Sequence, residues 1–335
     1  VKAATLLVRA LADPSGTSGL PDEQWTALIA AARAESLIGS LAFRLAGEGL
    51  PPRVASLLEA AREDAAQAKR QALWEAEMAR RALAPLGVPV ILLKGTAYAA
   101  AGLEAAVGRS IGDLDILVPR DRLGDVERAL LGAGWEWVKE DAYDDLYYRR
   151  WMHELPPLIH RERDRMIDVH HTILPLTARP KPDAAAMIAD SIALENGLRV
   201  LAPADMVLHA AAHLFADGDL AGGLRNLWDI DRLLREYSSR PDFWSDLSNR
   251  AARHGLLPAV ARAVRVAADL YATPVPRDWR GGGAADALFK ARLLARNGWG
   301  QGTDPGLRLG FYIRSHWLRM PPLMLARHLW TKARR

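Results

Sequence analysis

The sequence predicts an α+β chain: a small mixed sheet within residues 86–175, set between helical regions at 1–85 and 176–335. Three observations predict it. Apolar residues recur at helical spacing before residue 85 and again after Pro203. Short β-branched or aromatic runs concentrate between the two. Helical stretches precede and interrupt those runs, which argues for segregated α+β layers rather than a doubly wound sheet.

In chain order, Pro21-Asp22-Glu23 opens a helix with carboxylates near its positive end, and Trp25, Leu28, Ile29 and Ala32 form its apolar face. Pro51-Pro52 opens a longer helix with the stripe Val54, Leu57, Leu58, Ala61, Ala65, Ala68 and Ala72. The stripe is mostly alanine, so it suits close helix packing rather than a cofactor. Val88 to Gly95 reads as a buried strand ending at glycine, and Thr96 to Leu103 as a short Ala-rich helix. A second strand covers the apolar run to Val118, and Asp121 to Gly132 is a helix stopped by its glycine. Trp135–Val138, Leu146–Trp151 and Leu155–Ile159 carry β-type patterning, and the polar segment Arg161–Arg165 predicts a hairpin turn into a last strand, Arg165–Ile173. Helices follow at about 203–215, 222–237, 242–254, 257–272 and 284–297, separated by breaks such as Gly281-Gly282-Gly283 and Gly298–Gly306.

Composition narrows the function classes. The 335 residues contain no cysteine, which excludes a disulfide framework, a thiolate zinc site and a cysteine nucleophile. No apolar run approaches the ~20 residues of a membrane span, and no signal-peptide core opens the sequence. A cytoplasmic location is the expectation. A net charge of +4 permits nucleic acid as a partner without implying it.

The chemistry concentrates in Gly108-Arg-Ser-Ile-Gly-Asp-Leu-Asp-Ile-Leu-Val118. Side chains alternate along a strand, so Asp113 and Asp115 share one face while Leu114 and Ile116 take the other. Adjacent carboxylates repel unless a cation lies between them, and hard oxygen ligands at this spacing suit Mg²⁺ or Mn²⁺. Upstream, Lys94-Gly95-Thr96 places a glycine turn and a hydroxyl at the junction of strand and helix, a plausible phosphate cradle. Lys94 either adds a cation there or turns to solvent. Downstream, Asp168 sits in an apolar strand on the face opposite Ile167 and Val169, together with His170. A lone carboxylate there is costly unless water, a proton or a cation satisfies it.

In this order, the three pieces resemble the DNA polymerase β-like nucleotidyltransferase superfamily, and most closely its bacterial family of uncharacterised nucleotidyltransferases. The residues carrying the resemblance are Leu93-Lys94-Gly95, Arg109, Gly112-Asp113-Leu114-Asp115-Ile116-Leu117-Val118 and Asp168-Val169-His170. It is specific over about 86–175 and looser to Tyr237, and Thr96 stands where serine is commoner. The resemblance implies a polymerase-β-like core that transfers a nucleoside monophosphate from an NTP, with ATP as the expected one, by a two-metal mechanism. Asp113, Asp115 and Asp168 would be the catalytic metal ligands; Lys94, Gly95, Thr96, Arg109 and His170 would contact the nucleotide. The acceptor is a small molecule or a peptide or protein side chain in preference to nucleic acid. Two alternatives are a metal-dependent glycosyltransferase using Asp-x-Asp, and a silent nucleotide-binding protein. All-helical residues 1–85 oppose the first, and a complete acidic triad opposes the second.

Other residues receive plainer readings. His209 and His213 have the spacing of a zinc helix, but Ala210 stands where a metalloprotease carries its glutamate, so packing or a place near the nucleotide is preferred. Arg225 and Asp229 read as an i,i+4 surface pair, with Arg225 facing phosphates as the alternative. Glu140-Asp141 and Asp144-Asp145 read as a solvated loop. The basic, aromatic tail 311–335 reads as a last helix packed on the core with Trp317 and Trp330 buried; the alternative is peripheral contact with a membrane or partner.

Overall fold

The computed structural model describes residues 2–139, 141–319, 321, 325 and 330. The amino-terminal region is helical, with α1 (Ala3–Ala12), α2 (Asp22–Ala34), α3 (Ile38–Arg44) and α4 (Pro52–Leu83). Trp25, Leu28 and Ala32 of α2 and Val54, Leu58, Ala61, Ala65 and Ala72 of α4 are buried, as their spacing requires.

The middle of the chain builds the sheet around β1 (Ile91–Leu92), α5 (Lys94–Ala100), β2 (Leu114–Leu117), α6 (Leu123–Gly132), β3 (Trp135–Trp137), α7 (Ala142–Trp151), β4 (Leu158–His160) and β5 (Met166–His170). After α8 (Ala184–Ala189) come β6 (Ile192–Ala193) and β7 (Arg199–Val200). The seven strands are ordered β3-β4-β5-β2-β1-β7-β6, with β2/β5 and β1/β7 parallel and the other pairs antiparallel. The molecule is thus a mostly helical α+β structure with a mixed sheet. The sheet recruits β6 and β7 from beyond residue 175, where the sequence shows only two-residue strands that periodicity cannot register.

Two segments differ from expectation. Leu146–Trp151 is helical, because partners across a turn favour helix over strand. Asp145 pairs with Arg149 four residues on at 2.8 Å, Tyr147 stacks edgewise on Trp151 at 5.5 Å, and Arg149 makes two bonds to Glu127 of α6. These contacts override the β-propensity of the aromatic run. Asp145 accordingly belongs to a helix rather than a loop; Glu140 lies outside the described residues. Second, β4 begins only at Leu158, since Pro156 and Pro157 have no N–H to donate to a ladder.

The remaining helices are α9 (Pro203–Ala212), α10 (Gly223–Tyr237), α11 (Phe243–Arg253), α12 (Leu257–Tyr271), α13 (Asp286–Leu293) and α14 (Pro305–Arg319). A π-helical turn, His213–Asp217, follows α9. Buried Glu35 ties three regions together: it accepts from the Leu224 N–H at 3.0 Å in the first turn of α10 and from Arg296 at 2.6 Å. The carboxylate at that helix end fixes where α10 begins, and so where Arg225 points.

The tail departs from the reading of buried tryptophans. Phe311 and Ser315 of α14 are buried, and Arg314 bonds the Phe215 carbonyl of the π-helical turn, so this helix does pack on the core. Trp317 is 42% exposed with Arg179 over its ring, and Trp330 is 62% exposed. Trp317 sits on the outward side of α14, away from Phe311 and Ser315. Residues 320, 322–324, 326–329 and 331–335, including Arg327, Lys332, Arg334 and Arg335, lie outside the described residues. Among the described residues, no helix is long and apolar enough to cross a membrane.

Candidate functional site

Strand register assembles the acidic cluster. Parallel β2 and β5 pair Asp115 with Asp168 and Leu117 with His170, so the two carboxylates stand side by side on one face, with His170 two residues further along. Asp113 precedes β2 by one residue; it is exposed and makes no hydrogen bond or ion pair among the described residues. Gly108 sets the approach to it. Its φ of +67° and its contact with the Gly39 and Ser40 backbone leave no room for a Cβ, so loop 108–112 docks on α3.

Asp115 is the electrostatic centre. Its Oδ1 accepts from Lys94 Nζ at 2.6 Å and faces His170 Nε2 at 3.0 Å. Burial pushes its pKa up, but Lys94 and then His170 outweigh that and hold the carboxyl well below its usual range. Lys94 differs from its strand reading. The strand ends at Leu92, the Leu93 N–H bonds the Asp115 carbonyl at 3.0 Å, and Lys94 opens α5 at a φ of +49°. A left-handed lysine stores about 1 kcal/mol of strain, and here it brings the ammonium onto Asp115. Burial works against that charge, yet Asp115 and the neighbouring Asp168 and Glu154 raise the Lys94 pKa.

Asp168 has the opposite balance. Burial is the largest cause, Asp115 and Glu154 add repulsion, and together they push its pKa to about 7, with His170 and Lys94 opposing. It is poised to take up or release a proton near neutrality.

Above this floor lies a cleft of about 230 Å³. Lys94, Asp113 and Asp115 line one side, and His209, His213 and Arg225 the other. His209, on α9, is buried, and desolvation followed by repulsion from Lys94 holds it neutral. Arg225 bonds the Ser110 carbonyl at 2.8 Å, so its partner is not Asp229. Asp229 instead accepts from Arg109 Nε at 3.0 and 3.2 Å. The i,i+4 pair is thus replaced by a longer-range one: Arg109 and Arg225 both line the cleft, and Arg109 also braces the β2 approach against α10, 6% exposed and lying against Tyr98. Gly95 is explained by the same brace. A Cβ there would sit 2.6 Å from Arg109 Cζ, within its guanidinium, so the missing side chain makes room for arginine.

Residues 21–272 match a family described as uncharacterised nucleotidyltransferase. The chain belongs to that family. No curated protein matches it. Family membership makes a nucleoside triphosphate the substrate. The matched span runs from α2 through α12, so it contains every strand and every cleft residue of this nucleotidyltransferase; α13 and α14 lie beyond it.

Thr96 takes a different place from Gly95. Thr96→Val, at this buried position, should leave nucleotide affinity unchanged and raise stability by up to about 1 kcal/mol, since no bond among the described residues is lost. Calorimetry and a melting curve check both parts; a marked loss of affinity would return the hydroxyl to the phosphates. Sequence reasoning also missed Tyr98, Asn226, His153 and Glu154. The first two line the cleft. Glu154 bridges opposite His170 at the sheet margin, and no spacing rule links it to Asp168 in the sequence.

Proposed function

We propose that the chain transfers a nucleoside monophosphate from an NTP, with ATP the first candidate, to an acceptor nucleophile on a polymerase-β-like core. The observation that carries this reading is Asp168 in register beside Asp115, with Asp113 two residues ahead at the mouth of a cation-lined cleft. The acceptor oxygen or nitrogen attacks the α-phosphorus, the bond to the β-phosphate breaks, pyrophosphate leaves, and Asp168 takes the acceptor's proton. Lys94 and Arg225 supply positive charge beside the polyphosphate, and His209, held neutral, adds polarity without a further charge.

The residues fit a hard divalent cation. Asp113 is open and without a partner, and Asp168 is crowded by two carboxylates with no hydrogen bond of its own among the described residues. Such a set is relieved by Mg²⁺ or Mn²⁺. When bound by Asp113, Asp115 and Asp168, the ion would neutralise the charge that develops on the phosphates.

The acceptor side is small and polar. A cavity of about 340 Å³ shares His213 and Asn226 with the cleft and adds Asp219, Tyr312, Ser315 and His316. Its size favours a small molecule or a side chain over a nucleic acid. Four of its lining residues, Tyr312, Ser315, His316 and Arg319, come from α14, so acceptor choice rests partly on a segment beyond the family match.

Calorimetry should show ATP binding in Mg²⁺ that is lost in Asp113→Ala plus Asp115→Ala. Asp113→Asn is the cleaner single variant, because Asp113 braces nothing in the fold. Equal affinity in EDTA would remove the cation from the site. Incubation with α-labelled NTPs, with and without cell extract, then reports the acceptor.

A further inference from the structure

We propose that His153, Glu154 and His170 form a site for one transition-metal ion of the Zn²⁺ type, beside Asp168 and separate from the hard-cation carboxylates. One ligand atom from each of the three lies within 4.8 Å of the others. Glu154 Oε2 is 3.4 Å from His170 Nδ1 and 3.7 Å from His153 Nε2. A tetrahedral ion with bonds of about 2.1 Å separates its ligands by about 3.4 Å, so modest side-chain movement closes the site. The backbone already holds the pieces together: Glu154 bridges to His170, and the His171 N–H bonds the His153 carbonyl at 2.9 Å.

The second observation is the state of the rings. His170 directs Nε2 at Asp115 Oδ1 at 3.0 Å, so its other ring nitrogen, Nδ1, is the one turned toward Glu154, and a ring that donates from Nε2 alone presents a lone pair there. His170 is 2% exposed, and among the described residues its Nδ1 has no hydrogen-bond partner, nor has the buried His153 Nδ1. A lone pair facing a carboxylate oxygen repels it unless a cation lies between. A histidine that donates one N–H to a carboxylate and offers the other nitrogen to a metal is the arrangement that fixes ring orientation in metal sites. Two imidazoles and one carboxylate select a borderline ion over Mg²⁺. The His153 and Glu154 side chains are 14% and 18% exposed, which gives an ion a path inward.

The test uses full-length protein stripped by chelator and titrated with Co²⁺. One equivalent should produce the visible absorption of a nitrogen-ligated, low-coordinate ion, displaced by one equivalent of Zn²⁺ and unmoved by excess Mg²⁺. His153→Ala and Glu154→Gln should each weaken binding more than tenfold, whereas Asp113→Ala should keep the spectrum while changing ATP affinity. That last contrast separates this site from the proposed transferase chemistry. Zn²⁺ should also raise the melting temperature of the wild type but not of His153→Gln, a measurement that survives any instability of the alanine variant. Absence of a stoichiometric Co²⁺ spectrum, displacement by Mg²⁺, or an unchanged spectrum in both ligand variants would overturn the proposal.

Discussion

Asp168→Asn should lower nucleotidyl transfer by at least about 10²-fold and, above pH 7, make the protein more stable than the wild type. The swap is nearly isosteric, and Asp168 has no hydrogen bond among the described residues to lose. The stability sign follows from its raised pKa. In the unfolded chain the carboxyl titrates near 3.8, and in the folded chain near 7. Its favourable contribution is therefore complete below about pH 4 and lost as pH rises through 7. A gap of about three units, at about 1.4 kcal/mol each, puts the cost at alkaline pH at no more than about 4 kcal/mol. Melting curves of the two proteins should coincide near pH 4 and separate by pH 8, with the variant higher. Mg²⁺ should narrow the separation by stabilising only the wild type. Full turnover in the variant would show that Asp168 has no part in the reaction, and parallel curves at all pH values would show that it is not strained.

Arg109→Met should destabilise the protein by about 3–5 kcal/mol, because it strands Asp229, only 3% exposed, without its cation. Gly95→Ala should act in the same direction by pushing the guanidinium off Asp229. The double variant Arg109→Met, Asp229→Leu should recover most of the loss, since removing both charges is far cheaper than removing one. Denaturant unfolding of the wild type, Arg109→Met, Asp229→Leu and the double variant measures the cycle. A phosphate-binding arginine predicts another pattern: a near-normal melting point, weakened ATP binding, and no rescue by the second change. That result would move Arg109 from brace to ligand.

Elements with strong local signals were legible in the sequence. The helices of residues 1–85 and those from Pro203 onward follow from periodicity, capping and proline placement, and they stand close to where these put them. Also readable there was that Asp168 shares a face with His170, because strand alternation is a local property, whereas Asp113 stands one residue ahead of β2 and outside that rule. The family was legible in Lys94-Gly95, Gly112-Asp113-Leu114-Asp115 and Asp168-Val169-His170.

Pairing, by contrast, came from the packed fold. Asp115 stands beside Asp168 because β2 and β5 are in parallel register across more than fifty residues of chain, a relation no local pattern encodes. Arg109 chose Asp229 of a distant helix, so its guanidinium is buried in a brace, and Arg225, released from the expected i,i+4 pair, turned to the cleft. Lys94 left the strand for a left-handed position because Asp115 offered it a carboxylate, and Leu146–Trp151 became helical because Glu127 offered Arg149 one. Charged side chains take the partner that the fold brings within about 3 Å, since an unpaired charge in a desolvated site costs more than any local preference supplies. Spacing along the chain fixes which face a side chain occupies; only the packed fold fixes what it meets there.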